Sequence, residues 1–108
     1  MEFRELIRSR YSVRAYRKVG IPDDVLQRVL EAFALAPTAA NRQSFGLVVI
    51  HTEGREEELR RVYAADWFAV QPPIVVAGCA ALDGCWVRKD GKCYADVDVA
   101  IAMDHLIL

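Results

Sequence analysis

No stretch of this sequence approaches the roughly 18 uncharged apolar residues that a membrane-crossing helix needs, which excludes helical membrane insertion. Charge of one sign is also missing. Fourteen Lys and Arg stand against 15 Asp and Glu, a formal net charge of −1, so no overall field draws the chain to nucleic acid or to an anionic membrane. Internal repeats, low-complexity tracts and linkers are absent, and 108 residues allow one domain at most, over 1–108. The charged start Met1-Glu2-Phe3-Arg4-Glu5 has no signal-peptide apolar region, so a cytoplasmic protein is expected. Cysteine is scarce: Cys79, Cys85 and Cys93. An odd number without a secretion signal predicts reduced thiols. Intervals of five and seven intervening residues fit no zinc pattern. All three are therefore expected to act as small apolar packing residues, with no metal site.

What is present is apolar, 54% of the residues. That argues against disorder and suffices for a core of modest stability. Phe3, Leu6 and Ile7 fall at helical spacing and predict a short amphipathic helix from Glu2 to about Ser9. Pro22-Asp23-Asp24 is a helix start, with acids at the positive end of the dipole. Val25, Leu26, Val29, Leu30 and Phe33 give that helix its buried face as far as Leu35, and Pro37 stops it. Leu47 to Ile50 reads as a buried strand. Glu53 to about Tyr63 reads as a surface helix with Leu59, Val62 and Tyr63 on one side. Trp67 and Phe68 fall in a connection ending at Pro72-Pro73, and Ile74 to Ala80 reads as a second buried strand. Asp83-Gly84 and Asp90-Gly91 mark turns around Trp86.

The last helix, from near Asp96 to the end, is apolar nearly all round, which predicts burial in a large core or a subunit interface. It stops at Leu108 without a capping signal, and two strands make a marginal sheet. The chain is therefore expected to be a fragment, or to complete its fold with another chain.

Two stretches remain as candidates for chemistry. Arg10-Tyr11-Ser12-Val13-Arg14 sets two guanidinium groups and a hydroxyl on one short segment, and Ala36-Pro37-Thr38-Ala39-Ala40-Asn41-Arg42-Gln43 follows a helix end with small polar residues and two amides. Read by composition alone, the first is a solvated basic face and the second an ordinary loop. Their order, with the strand, the Pro-Pro pair, the second strand and the run Asp96 to Leu108, resembles the FMN-dependent nitroreductase family. Ser44 and Phe45 stand where that family more often has proline and tryptophan.

The resemblance implies an α+β fold (α/β three-layer, nitroreductase-like). A central, mostly antiparallel sheet would be flanked by helices in a homodimer, and this chain would supply the N-terminal part of a single domain. It implies an FMN-dependent NAD(P)H oxidoreductase that reduces nitroaromatics, quinones or similar acceptors by a ping-pong hydride transfer, with NADH or NADPH as reductant. Cofactor contacts would come from Arg10, Tyr11, Ser12 and Arg14 in one subunit. Pro37, Thr38, Asn41 and Gln43 would reach the flavin of the partner. Arg10 and Ser12 would hold the phosphate and ribityl end, matching an anion with a planar fork of donors, and Arg14 would reach the pyrimidine edge. No catalytic side chain is implied, because the flavin carries the chemistry. His51 and His105 read as structural, Trp67, Phe68 and Trp86 as packing, and Asp96, Asp98 and Asp104 as capping and dipole residues of the last helix. The alternatives are a flavin- or ligand-binding fragment without turnover, and a basic-helix nucleic-acid-binding module using Arg4 to Lys18.

Overall fold

The computed structural model describes residues 1–108. Its elements follow in the order α1 (Phe3–Ser9), α2 (Asp23–Ala34), a 3-10 turn (Ala39–Asn41), β1 (Phe45–His51), α3 (Glu56–Val62), α4 (Asp66–Ala69), β2 (Ile74–Ala80) and α5 (Ala95–Ile107). No helix is long and apolar enough to cross a membrane. The chain divides into two compact units. One holds Met1–Pro22, Val49–Val76 and Leu108, the other Asp23–Val48 and Ala77–Ile107.

β1 and β2 form a two-stranded sheet with antiparallel register. The Thr52 N–H donates to the Pro73 carbonyl at 3.1 Å, and the Ala81 N–H donates to the Ser44 carbonyl at 2.9 Å. The elements are therefore those of an α+β fold. Both strands differ from the expectation of full burial. β1 alternates between half-buried and exposed residues over most of its length, and β2 is half-buried at its start and exposed at its end. The β-branched run supports the extended backbone, but only one face of β1 is packed within the chain.

In the second unit α2 packs on α5. Phe33, Ala36 and Ala102 are buried together, with Phe45, Leu47, Val99, Met103 and Leu106 against them. The Phe33 and Phe45 rings meet edge to face at 5.0 Å between centroids, an arrangement favoured by the ring quadrupoles. β2 approaches α5 closely at Gly78, where an added Cβ would lie 3.0 Å from Met103 Sδ and 3.0 Å from Val99 Cγ2. In α5 the residues Ala95, Asp98 and Ala102 are buried, while Ile101 and Ile107 are exposed. The apolar circumference expected to be buried is therefore covered on one side only.

In the first unit α3 packs on α4. Thr52 is buried, and its hydroxyl donates to the Pro72 carbonyl at 2.6 Å. α3 begins later than expected, because a turn at Glu53-Gly54 with Gly54 at φ 77° precedes it. Leu59 is buried as expected, but Val62 and Tyr63 are exposed. Trp67 and Phe68, expected in a connection, lie on α4. α1 forms where its periodicity predicts, yet none of its residues is buried, with Phe3 and Ile7 exposed.

The cysteines depart from the expectation of three reduced, packed thiols. Cys85 and Cys93 are joined in a disulfide, and Cys79 is free and exposed. The turns at Gly84 and Gly91, with φ of 75° and 89°, fold the segment back on itself. Val87 bridges Cys93, so the two thiols meet although seven residues separate them in sequence. Local chain reversal, invisible in cysteine spacing, is the reason. On the same hairpin Arg88 donates to both Asp90 carboxylate oxygens at 2.9 and 2.6 Å and to the Tyr94 hydroxyl at 2.8 Å. The Arg88 bond holds the Asp90 carboxyl below its ordinary range. The folded state thus favours ionised Asp90, an effect present above the unfolded pKa and lost as pH falls through the lower folded value.

Phe33→Ala is expected to cost about 3–5 kcal/mol, read as a lower urea midpoint. An unchanged midpoint would mean that Phe33 does not organise the α2–α5 core. Thiol titration of the unreduced, unfolded protein is expected to find one reactive cysteine per chain, and three would overturn the pairing of Cys85 with Cys93.

Candidate functional site

The first candidate stretch begins where α1 ends. Arg10 leaves the helical region at φ −64°, ψ 133°, while its N–H still bonds the Leu6 carbonyl. Residues 10–22 form no regular secondary structure, yet two contacts shape them. The Tyr16 hydroxyl donates to the Val13 carbonyl at 2.9 Å, and the Tyr16 N–H donates to Gln71 Oε1 at 3.1 Å. Gln71, which the sequence reading did not single out, thus ties the segment to the Pro72-Pro73 step. Arg10, Tyr11, Ser12 and Arg14 are all exposed. The ion pairs of the chain use Arg28, Arg55, Arg60, Arg88 and Lys92, so Arg10 and Arg14 keep uncompensated charge.

The same unit contains a cavity of about 280 Å³ lined by Tyr16, Ile21, Trp67, Phe68, Pro72 and Ile74, among others. Tyr63 lies 5.3 Å from Trp67 and 5.9 Å from Phe68 between ring centroids. Packing is therefore the principal role of these rings, as their apolar area suggests, although Trp67 and Phe68 also line the cavity.

The second stretch lies in the other unit. α2 ends at Ala34, and the Ala36 N–H closes its last turn on the Phe33 carbonyl at 3.3 Å. Pro37 has no N–H to continue the ladder, and Thr38 is extended at φ −131°, ψ 153°. Three non-glycine residues then take left-handed backbone: Ala40 at φ 51°, Asn41 at φ 52° and Gln43 at φ 53°. Asn tolerates this region through local hydrogen bonds, whereas an alanine there costs about 1–2 kcal/mol.

Local bonds hold the loop in place. The Gln43 N–H donates to Thr38 Oγ1 at 3.1 Å, the Asn41 N–H to the Thr38 carbonyl at 3.0 Å, and the Arg42 N–H to the Ala39 carbonyl at 3.2 Å. Pro37, Asn41 and Gln43 are exposed and Thr38 is half-buried. The backbone spends its bonds internally and leaves both amide side chains outward, each able to donate and accept.

One further residue holds this loop. Asp98, 1% exposed, accepts the Ala39 N–H at 3.0 Å through Oδ1, and its Oδ2 has no partner. Capping and dipole roles, expected for Asp96, Asp98 and Asp104, describe Asp96 better. Its Oδ1 accepts the Val97 N–H at 2.9 Å and its Oδ2 faces Lys92 Nζ at 3.4 Å. The signal for Asp98 was a charged residue three after Ala95 and four before Ala102, on the stripe that α5 buries. His51 and His105 are exposed, and no group of three His, Cys, Asp or Glu is placed to hold a metal ion.

The model of the Nitroreductase family matches residues 7–106. A nitroreductase family protein of Clostridium difficile 630 superposes with a TM-score of 0.88 at 33% identity, over 99% of this chain and 60% of that one. A nitroreductase with bound FMN from Bacteroides fragilis superposes with a TM-score of 0.72 at 25% identity, over 99% of this chain and 63% of that one. A curated NADH dehydrogenase of Thermus thermophilus is 31% identical over 81 residues, 75% of this chain and 40% of the relative. The chain thus spans about two fifths to three fifths of the length of these proteins.

Ala40→Gly is expected to stabilise the protein by up to about 1 kcal/mol, through relief of left-handed strain, read as a higher urea midpoint at unchanged slope. A loss of stability would instead assign the Ala40 methyl a packing role.

Proposed function

This chain belongs to the nitroreductase family, and from that premise we propose that residues 1–108 are the N-terminal part of one nitroreductase-like domain in an FMN-dependent NAD(P)H oxidoreductase. The family and the dehydrogenase relative support an oxidoreductase. The finer reading is reduction of nitroaromatics, quinones or similar acceptors in a ping-pong cycle, with NADH or NADPH as reductant. A homodimer, a three-layer fold with a larger, mostly antiparallel sheet and a cytoplasmic location go with it.

The observation that carries this reading is the pair of exposed, uncompensated guanidinium groups at Arg10 and Arg14, with Ser12 between them. A phosphate dianion is the ligand such a set fits, since each arginine offers a planar fork of donors at any working pH. Arg10 and Ser12 bind the phosphate and ribityl end, with Tyr11 beside them. Arg14 faces the pyrimidine edge, where its positive charge favours the reduced ring. Pro37, Thr38, Asn41 and Gln43 contact the flavin held by the partner subunit. When bound, FMN supplies hydride transfer, and the side chains named here bind and orient it. The absence of a nucleophile–base pair from the two stretches fits that division of labour.

Binding of a flavin or other ligand without turnover is the second reading, and it uses the same exposed Arg10, Ser12 and Arg14. The two separate cleanly by experiment. FMN titration followed by NADH oxidation is expected to give a yellow protein that consumes NADH in the presence of a quinone. Bound flavin without NADH consumption would select the second reading, and a colourless protein that takes up no FMN would refute both.

Arg10→Ala is expected to weaken FMN binding by about 1.5–3 kcal/mol, roughly ten- to hundredfold in dissociation constant. Unchanged affinity would refute the phosphate assignment. Arg14→Ala should move the reduction potential of the bound flavin more than its affinity, as spectroelectrochemistry would record.

A further inference from the structure

We infer that Asp98 is the positioning residue of the loop Pro37 to Gln43: from inside the α5 stripe it fixes that loop in the left-handed shape that presents Asn41 and Gln43. The inference rests on the proposed role of this loop in flavin binding.

A carboxylate 1% exposed on the buried stripe of α5, between Ala95 and Ala102, is costly unless it gains a compensating bond. Asp98 has one, from the Ala39 N–H at 3.0 Å, which is charge-assisted and so stronger than a neutral pair. Its place in the first turn of α5 adds the favourable helix-dipole field. The bond partner is telling. Ala39 is the first residue of the 3-10 turn, immediately before the left-handed Ala40 and Asn41. Within the loop the N–H groups of Asn41, Arg42 and Gln43 bond Thr38 and Ala39, and the Gln43 carbonyl accepts the Phe45 N–H at 2.9 Å, so these bonds shape the loop and join it only to its neighbours in sequence. The Ala39 N–H to Asp98 bond, across 59 residues of sequence, ties it to α5. Strained backbone persists only where its surroundings over-determine it, and Asp98 provides that restraint.

The test combines hydrogen exchange with FMN titration, on the wild-type protein and on Asp98→Asn and Asp98→Ala. Asn retains an oxygen able to accept the Ala39 N–H, whereas Ala removes it. In the wild type without FMN, the Ala39 amide is expected to exchange at least tenfold more slowly than in an unstructured chain. In Asp98→Ala that protection should vanish while the amides of α5 beyond Ala102 keep theirs. FMN affinity should fall tenfold or more in Asp98→Ala and stay within threefold of wild type in Asp98→Asn.

An unprotected Ala39 in the wild type overturns the inference, and this arm holds even if Asp98→Ala fails to fold. Equal FMN affinity in all three proteins overturns it too, as does an Asn variant that loses as much as the Ala variant. A wild type that binds no FMN refutes the proposed function instead, and the exchange arm then decides the anchoring by itself.

Discussion

The contact of α2 with α5, centred on Phe33 and Ala102, decides where the chain must turn. Phe33 is one residue from the end of α2, so its burial fixes the height at which the helix stops and Pro37 diverts the backbone. A side chain of that size anchors its helix firmly, since it cannot be moved without opening a cavity. Ala102 is buried in the same cluster, and four residues earlier on α5 Asp98 accepts the Ala39 N–H at 3.0 Å. Apolar packing thus sets the coarse geometry and one charge-assisted bond sets the fine one.

The two candidate stretches are built on different principles. Arg10 to Arg14 lies on backbone with no ladder of its own, held through Tyr16 and Gln71, and offers charge. Pro37 to Gln43 is held by its own N–H groups and by Asp98, and offers amides on left-handed backbone. Charge attracts an anion from any direction and tolerates a loosely defined frame. Hydrogen bonds from amides are directional, so their frame must be exact to a few tenths of an ångström. The heavier restraint on the second stretch follows from that difference.

The chain also carries more apolar surface than it covers. Phe3, Ile7, Val48 and Ile107 are exposed, on α1, β1 and α5. Such residues are usually buried where a partner surface is available. The homodimer and fuller sheet proposed above would supply one.

Much of this was legible in the sequence because it is local. The α2 stripe from Val25 to Phe33, the proline stop, the strand Ile74–Ala80 and the turns at Gly84 and Gly91 each follow from spacing or from one residue's backbone preference. The order of the Arg-x-Ser-x-Arg and Pro-Thr-x-x-Asn-x-Gln motifs pointed to the family that residues 7–106 match. Other features were not legible: the exposure of Val62 and the anchoring by Asp98 across 59 residues turn on tertiary contacts, while the helix at Trp67-Phe68 and the pairing of Cys85 with Cys93 turn on local backbone geometry that composition and spacing do not specify. By itself the sequence determined where most helices and strands lie and that the chain belongs to the family matching residues 7–106, since those depend on side-chain chemistry and near neighbours. Only the three-dimensional structure decided which groups are buried, paired or strained, because burial arises from contacts such as Phe33 with Ala102, and pairing and strain from the path the backbone takes in space.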